Sequence, residues 1–315
     1  MQRMTRMLGG CGYLLYTVAV LLLMLWLQFP AAAVKSKAEA ELNRLAPGLE
    51  WRIGAVGLAL PADLHFKRIT VSSKGEKEPL MFLDSFSLRP DFMNWRKLGK
   101  WSFLYQLHLF GGSVSGRLTP AKERAVLDCV GELKEISLDS PGLKKLLAGY
   151  GRTVSGTLSG TFTSKYDGLQ GSLAEMETAL HLGKGTVSLQ EPVLGLKQLT
   201  FDSLRSTLQR SRAGQVLIEG GKLESKLLEA DFTGDLQLTE PVASSSIHLK
   251  GGLNPRPEFL ASIGGSPLLA NVLKSHLQKG KLPFTVSGTL NEPGIIFAGL
   301  PTNFNQQLQG RGRQP

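Results

Sequence analysis

The chain has 315 residues, with 36 basic residues against 26 acidic ones, a formal net charge of +10 and two cysteines. Cys11 and Cys129 stand too far apart in context to pair, one in an apolar N-terminal run and one in the body, so a disulfide scaffold is excluded. The positive charge is spread, with small concentrations at Arg96-Lys97, Lys144-Lys145 and Arg311/Arg313, which excludes the basic stripe with interleaved aromatics of a nucleic-acid binder.

No charged residue occurs from Met7 through Val34. As a helix, Leu8 to Phe29 would rise roughly 33 Å at about 1.5 Å per residue, matching the ~30 Å hydrocarbon core of a bilayer. Residues 1–30 therefore read as a short stub and a transmembrane anchor carried by Leu14, Leu15, Val18, Leu21, Leu22, Leu25 and Trp26. Basic residues flank the span on both sides (Arg3 and Arg6, then Lys35, Lys37 and Arg44), so charge orients it weakly. A short stub before a long domain favours stub inside and domain outside, which in a bacterium is the periplasm. Leu8-Gly9-Gly10-Cys11 resembles a lipoprotein box but precedes the apolar segment instead of following it. Ala31-Ala32-Ala33 offers a signal-peptidase site, yet the apolar stretch exceeds a signal core of about 7–15 residues. Trp26, Gln28, Phe29 and Pro30 form an interfacial belt, so a retained anchor is expected over a cleaved signal.

Residues 31–48 predict a juxtamembrane helix rich in strong helix formers, entered through Pro30 and stopped by Pro47-Gly48. Residues 49–300 predict a β-rich domain, and 301–315 a disordered tail. From Trp51 onward the pattern is alternation with period 2. His65, His108, His181 and His248 each stand between two apolar neighbours, so on a strand each points away from the core face. Their separations give no metal-ligand spacing. Cys129, beside Val130, reads as a small apolar residue.

A degenerate repeat supports the β reading. Val114-Ser-Gly-Arg-Leu118, Val154-Ser-Gly-Thr-Leu158 and Val286-Ser-Gly-Thr-Leu290 share V-S-G-x-L, with looser copies at Leu158–Phe162 and Phe232–Leu238. Alternation places Val, Gly and Leu on one face, where the glycine permits close approach or a bend. Val114, Leu118, Val154, Leu158, Val286 and Leu290 are thus the expected apolar groove or core face. Gly111-Gly112, Gly220-Gly221 and Gly251-Gly252 are expected at turns or bulges of a largely antiparallel sheet. Helices are expected over Ser140–Gly149 and Ser266–Gly280, each opened by Ser-Pro and closed by Gly, with a short one over Pro257–Ile263. Leu88–Trp101 mixes two tryptophans with basic residues; it is expected to cap a sheet edge with its aromatics packed inward, the other reading being contact with lipid headgroups or a partner.

No catalytic constellation is present: no G-x-S-x-G, H-E-x-x-H, Walker-type loop or C-x-x-C. Glu175/Glu177 and Asp231/Asp235 are paired carboxylates expected on a solvated strand face. Catalytic, metal and cofactor residues are therefore expected to be none, and the chain is expected not to be an enzyme.

The span ending Leu27-Gln-Phe-Pro-Ala31, then a charged helix and Pro47-Gly48, resembles the N-terminus of the type II secretion system protein N (GspN) family, in its longer divergent form. Leu88-Arg-Pro90 and Leu109-Phe-Gly-Gly-Ser-Val-Ser-Gly116 are also similar to that family, and Leu282–Pro293 resembles the closing strand of the broader AsmA-like group. The resemblance implies an inner-membrane, single-pass accessory component of the type II secretion apparatus with its bulk in the periplasm. It implies contacts with inner-membrane lipids and other secretion subunits, no nucleic acid and no catalytic residues. It also implies a mainly β fold: an N-terminal transmembrane helix, then a curved AsmA-like sheet with a few short helices. The alternative is a lipid-binding or lipid-transfer module with phospholipid in an apolar β-groove. The two differ in whether the apolar strand face is filled or open.

Overall fold

The computed structural model describes residues 13, 16–18, 20–21, 23–24, 26–46, 48–60, 62–75, 79–121, 126–148, 153–167, 172–194, 196–211, 214–239, 242–262, 275–278 and 280–300. These are mainly strand, in two compact units, Met1–Leu109 and Phe110–Pro315.

In the first unit, helix α1 (Ala31–Leu45) precedes β1 (Leu49–Ala59), β2 (Asp63–Ser73) and β3 (Pro79–Pro90), followed by α2 (Phe92–Leu98) and β4 (Phe103–Leu109). The strands pair antiparallel in chain order. Apolar residues meet across the ladders: Ile53 opposes Ile69, which opposes Leu83, and Val56 opposes Phe66, which opposes Phe86. The helix places Val34, Ala38 and Leu42 at four-residue intervals, one stripe, against this face. No α1 side chain is fully buried, so each contributes less than the roughly 1.5–3 kcal/mol of a completely buried aliphatic group.

Of the expected anchor positions, Val18, Leu21 and Trp26 are helical and exposed, whereas Leu14, Leu15, Leu22 and Leu25 lie outside the described residues. Among the described residues no helix is long and apolar enough to cross a membrane.

The second unit contains β5 (Gly112–Pro120), β6 (Val126–Ser137), α3 (Pro141–Ala148), β7 (Thr157–Asp167), β8 (Ser172–Leu182), β9 (Gly185–Val193), β10 (Leu196–Phe201), β11 (Ser203–Arg210), β12 (Gln215–Glu224) and β13 (Leu228–Gln237). It continues through a 3-10 turn (Val242–Ser244), β14 (Ser246–Pro255), α4 (Pro257–Ser262), β15 (Leu282–Thr289) and β16 (Pro293–Phe297). Ten strands pair in the order β5-β6-β7-β8-β11-β12-β13-β14-β15-β16, while β9 and β10 form a separate hairpin inserted between β8 and β11. All pairs described here are antiparallel, the geometry that lets one face be apolar and the other wet.

Bulges interrupt several ladders, and two of them contain a residue of positive φ. Glu135 (φ 53°) lies between Leu133 and Ile136 in β6, and Gly220 (φ 58°) between Ile218 and Gly221 in β12. Each adds local twist. Gly251-Gly252, expected at a turn or bulge, is instead paired without interruption inside β14. The expected cap of α3 is also different: the Ser140 hydroxyl makes no hydrogen bond, and the helix begins with the Lys144 N–H donating to the Ser140 carbonyl at 2.9 Å. The helix expected over Ser266–Gly280 and the tail 301–315 fall largely or wholly outside the described residues.

Candidate functional site

Because side chains alternate along a strand and paired residues share a face, the ladder registers assign each residue of the second unit to one of two faces. One row runs Leu158, Leu182, Leu204, Leu223, Ala230, Leu253 and Leu282 across seven strands. Another joins Leu118, Cys129, Ser164, Met176, Arg210, Val216, Leu236 and Ile247. The opposite face carries Glu132, Lys165, Glu175, Glu177, Lys222, Asp231 and Asp235. Its Lys165–Glu175 pair at 2.9 Å is half exposed and worth at most about 1 kcal/mol. His181 and His248 lie on this polar face too, and among the described residues no group of His, Cys, Asp or Glu could hold a metal ion.

Val114, Leu118 and Leu158 lie on the apolar face and are half-buried; Val286 lies there and is buried, opposite Leu249 and Ile295. Leu290 follows the end of β15 and donates its N–H to the Ser245 carbonyl at 2.9 Å. Val154 departs from the expected pattern. It is not in the sheet but forms an isolated bridge with Val187 of β9. Gly156, at φ 129°, redirects the chain, and the strand starts only at Thr157. The glycines of the apolar face take cross-strand partners: the Phe232 ring lies on Gly221 and the Phe284 ring on Gly251. An aromatic ring over a strand glycine supplies the packing that glycine lacks.

The face is not uniformly covered. Beneath the β9–β10 hairpin, Leu194, Leu228, Leu253, Leu282 and Phe297 form a buried cluster, joined by Phe259 of α4. Beside it is a cleft of about 150 Å³ with an apolar lining that includes Leu196, Leu199, Leu223, Phe284 and Ile295. Water in such a cleft finds almost no hydrogen-bond partner in the lining, which favours hydrocarbon as its occupant. Across β5 to β8 the apolar side chains Leu118, Leu133, Phe162 and Leu180 are half-buried.

Polar groups break the apolar face at the β8–β11 seam. Thr178 opposes Leu208, Ser206 opposes Leu180, and Arg210 opposes Met176. Thr178 is only 7% exposed. Thr178 Oγ1, Ser206 Oγ and Arg210 Nε are buried and make no hydrogen bond within the protein. Each such group costs about 1–3 kcal/mol. The sequence reading passed over them, although Leu204, Ser206, Leu208 and Arg210 alternate in a way that puts a serine and an arginine where leucine belongs.

In the first unit, the segment Leu88–Trp101 contradicts the expected inward packing. Asp91 caps α2 by accepting the Asn94 N–H at 3.0 Å, and Gly99 closes it in the left-handed region. Trp95 and Trp101 stack with centroids 5.6 Å apart yet are 49% and 56% exposed, and Phe92 and Met93 are exposed beside them. Arg96 and Lys100 are exposed in the same segment.

Among the described residues three ionisable groups have shifted equilibria, Asp139 at an exposed position and Glu224 and Arg256 half-buried. Lys144 and the Gly156 N–H hold the Asp139 carboxyl below its usual range. Lys222 and then the Ser203 hydroxyl do the same for Glu224. Glu229 raises Arg256 further, through a 2.6 Å hydrogen bond.

No protein-family model, curated protein or solved structure matches this chain.

Proposed function

We propose that this chain is a non-enzymatic, single-pass protein of the bacterial inner membrane, holding acyl chains of phospholipid on the apolar sheet face of its periplasmic second unit. The observation that carries the reading is an apolar face shared by ten strands, crossed by a polar seam at β8–β11, and holding a cleft with an almost wholly apolar lining. At about 4.8 Å per strand the face extends roughly 43 Å, against roughly 15 Å for the hydrocarbon of one leaflet. An acyl chain can therefore lie flat on it. The exposed Trp95–Trp101 stack with its neighbouring cations supports contact with a headgroup layer, where amphipathic aromatic rings and basic side chains are both stable. The uncharged run from Met7 through Val34 supports the anchor.

The test is lipid analysis of the full-length protein after extraction in a mild detergent. Phospholipid should co-purify at near-stoichiometric amounts, and Phe162→Asp with Leu180→Asp, which charge the face, should abolish retention. A lipid-free wild-type sample would overturn the reading.

A second reading is an accessory subunit of the type II secretion system working through protein contacts, the function implied by the sequence resemblance. It is favoured by the sheet edge at β16, which pairs only with β15 among the described residues and carries Ile296 at 51% exposure. Such an edge can accept a strand from a partner. Cross-linking through a cysteine placed at Ile296 should then capture secretion subunits; capture that is unchanged when the cysteine is moved to Thr285, on the neighbouring strand, would count against it.

A further inference from the structure

We infer that Thr178, Ser206 and Arg210 form a headgroup site for the phosphate of a glycerophospholipid whose acyl chains lie on the apolar face, an assignment that rests on the lipid-binding reading. The three residues occupy alternate rows of two neighbouring strands, so Thr178 is the diagonal neighbour of both Ser206 and Arg210, at roughly 7–8 Å. All project from the apolar face, as their registers with Phe162, Leu180 and Val216 require.

This seam is where the sheet leaves polar groups without a partner in the protein. Leu180 opposes Gly160 on β7, and Ser206 faces the bulge at Gly220-Gly221 on β12, so the row through Ser206 is flanked by small residues. Thr178 is more than nine-tenths buried, with its hydroxyl unpartnered. The buried Nε of Arg210 shows that the guanidinium stem lies against the sheet instead of extending into water. No carboxylate among the described residues pairs with Arg210, in contrast to Lys165, Lys222 and Arg256, which all have one.

The donor set selects the ligand. A guanidinium presents a planar fork of N–H groups matched to phosphate, and two hydroxyls add donors at an angle to that plane. A half-buried cation whose stem lies beside Met176 and Val216 favours an anionic amphiphile over an uncharged one. The same surroundings provide the hydrocarbon contact that inorganic phosphate cannot use.

The experiment titrates the full-length protein in a non-ionic detergent with phosphatidylglycerol, or with diacylglycerol bearing the same acyl chains, and counts bound lipid by native mass spectrometry. Wild type should retain phosphatidylglycerol about tenfold or more over diacylglycerol, the scale of charge-assisted hydrogen bonds. Arg210→Met keeps the apolar stem and should erase that preference without changing diacylglycerol retention. Thr178→Val with Ser206→Ala should reduce it several-fold. Unchanged diacylglycerol retention shows that the variants fold. Equal retention of both lipids by wild type, or a preference that survives Arg210→Met, overturns the headgroup site and leaves the lipid reading standing. Retention of neither lipid overturns both.

Discussion

Glu39 of α1 accepts the backbone N–H of Ile53 at 2.6 Å. One turn along, Asn43 accepts the N–H of Trp51 at 2.8 Å. These N–H groups belong to the side of β1 that has no strand partner among the described residues, so a helix substitutes side-chain acceptors for a missing ladder. An unpaired strand edge is a template for self-association, and covering it with a helix is one of the few ways to blunt it. The same helix packs Val34, Ala38 and Leu42 against the sheet face, coupling the edge cover to the core.

Glu39→Ala should destabilise the first unit by about 1–2 kcal/mol, because a part-buried N–H loses its partner. Urea unfolding followed by tryptophan emission reads this loss. The Ile53 N–H left without its acceptor reopens part of the edge, so the variant should also form concentration-dependent dimers through β1. Unchanged stability with no dimer at high concentration would show that the edge needs no cover.

The exposed Trp95–Trp101 stack should contact lipid directly. In bilayer discs containing brominated phospholipid, quenching of tryptophan emission should fall by more than half when Trp95 and Trp101 are both changed to Ala, since Trp51 packs against the core and Trp26 alone is left at the bilayer. Quenching that is the same in variant and wild type would place this stack away from the membrane.

Asp139 ties the approach to α3 to the segment before β7: it accepts the Gly156 N–H at 3.2 Å and pairs with Lys144 at 3.1 Å. Both contacts lower its pKa in the folded state, Lys144 most. The tie therefore stabilises fully above the unfolded aspartate value of about 3.9 and is lost as pH falls through the lower folded value. Hydrogen exchange at the Gly156 amide, corrected for intrinsic rate, should stay constant from about pH 7 to pH 5 and quicken only in that acid window. Asp139→Asn should leave the amide without this pH step. A step that persists in the variant would assign it to another group.

Local sequence carries the alternation, and alternation dictates which residues share a face. Leu118, Leu158 and Val286 were legible as apolar-face residues because period 2 needs only neighbours along one strand. Helix α1 was legible from its run of helix formers over Ala31–Leu45. Val154 was misread because a motif cannot report that a glycine at φ 129° will turn the chain out of the sheet.

Only the tertiary structure decided the order of strands, the insertion of the β9–β10 hairpin and the cleft beside it. Val286 is buried while Val114 stays half open, although both occupy the first place of the same motif. Coverage depends on what distant chain lies overhead, which no local pattern contains. Thr178 and Ser206 are separated by a hairpin in sequence and meet only because β8 pairs with β11. Register between remote strands is a cooperative outcome of the whole sheet, so the polar seam it creates exists nowhere in the linear chain.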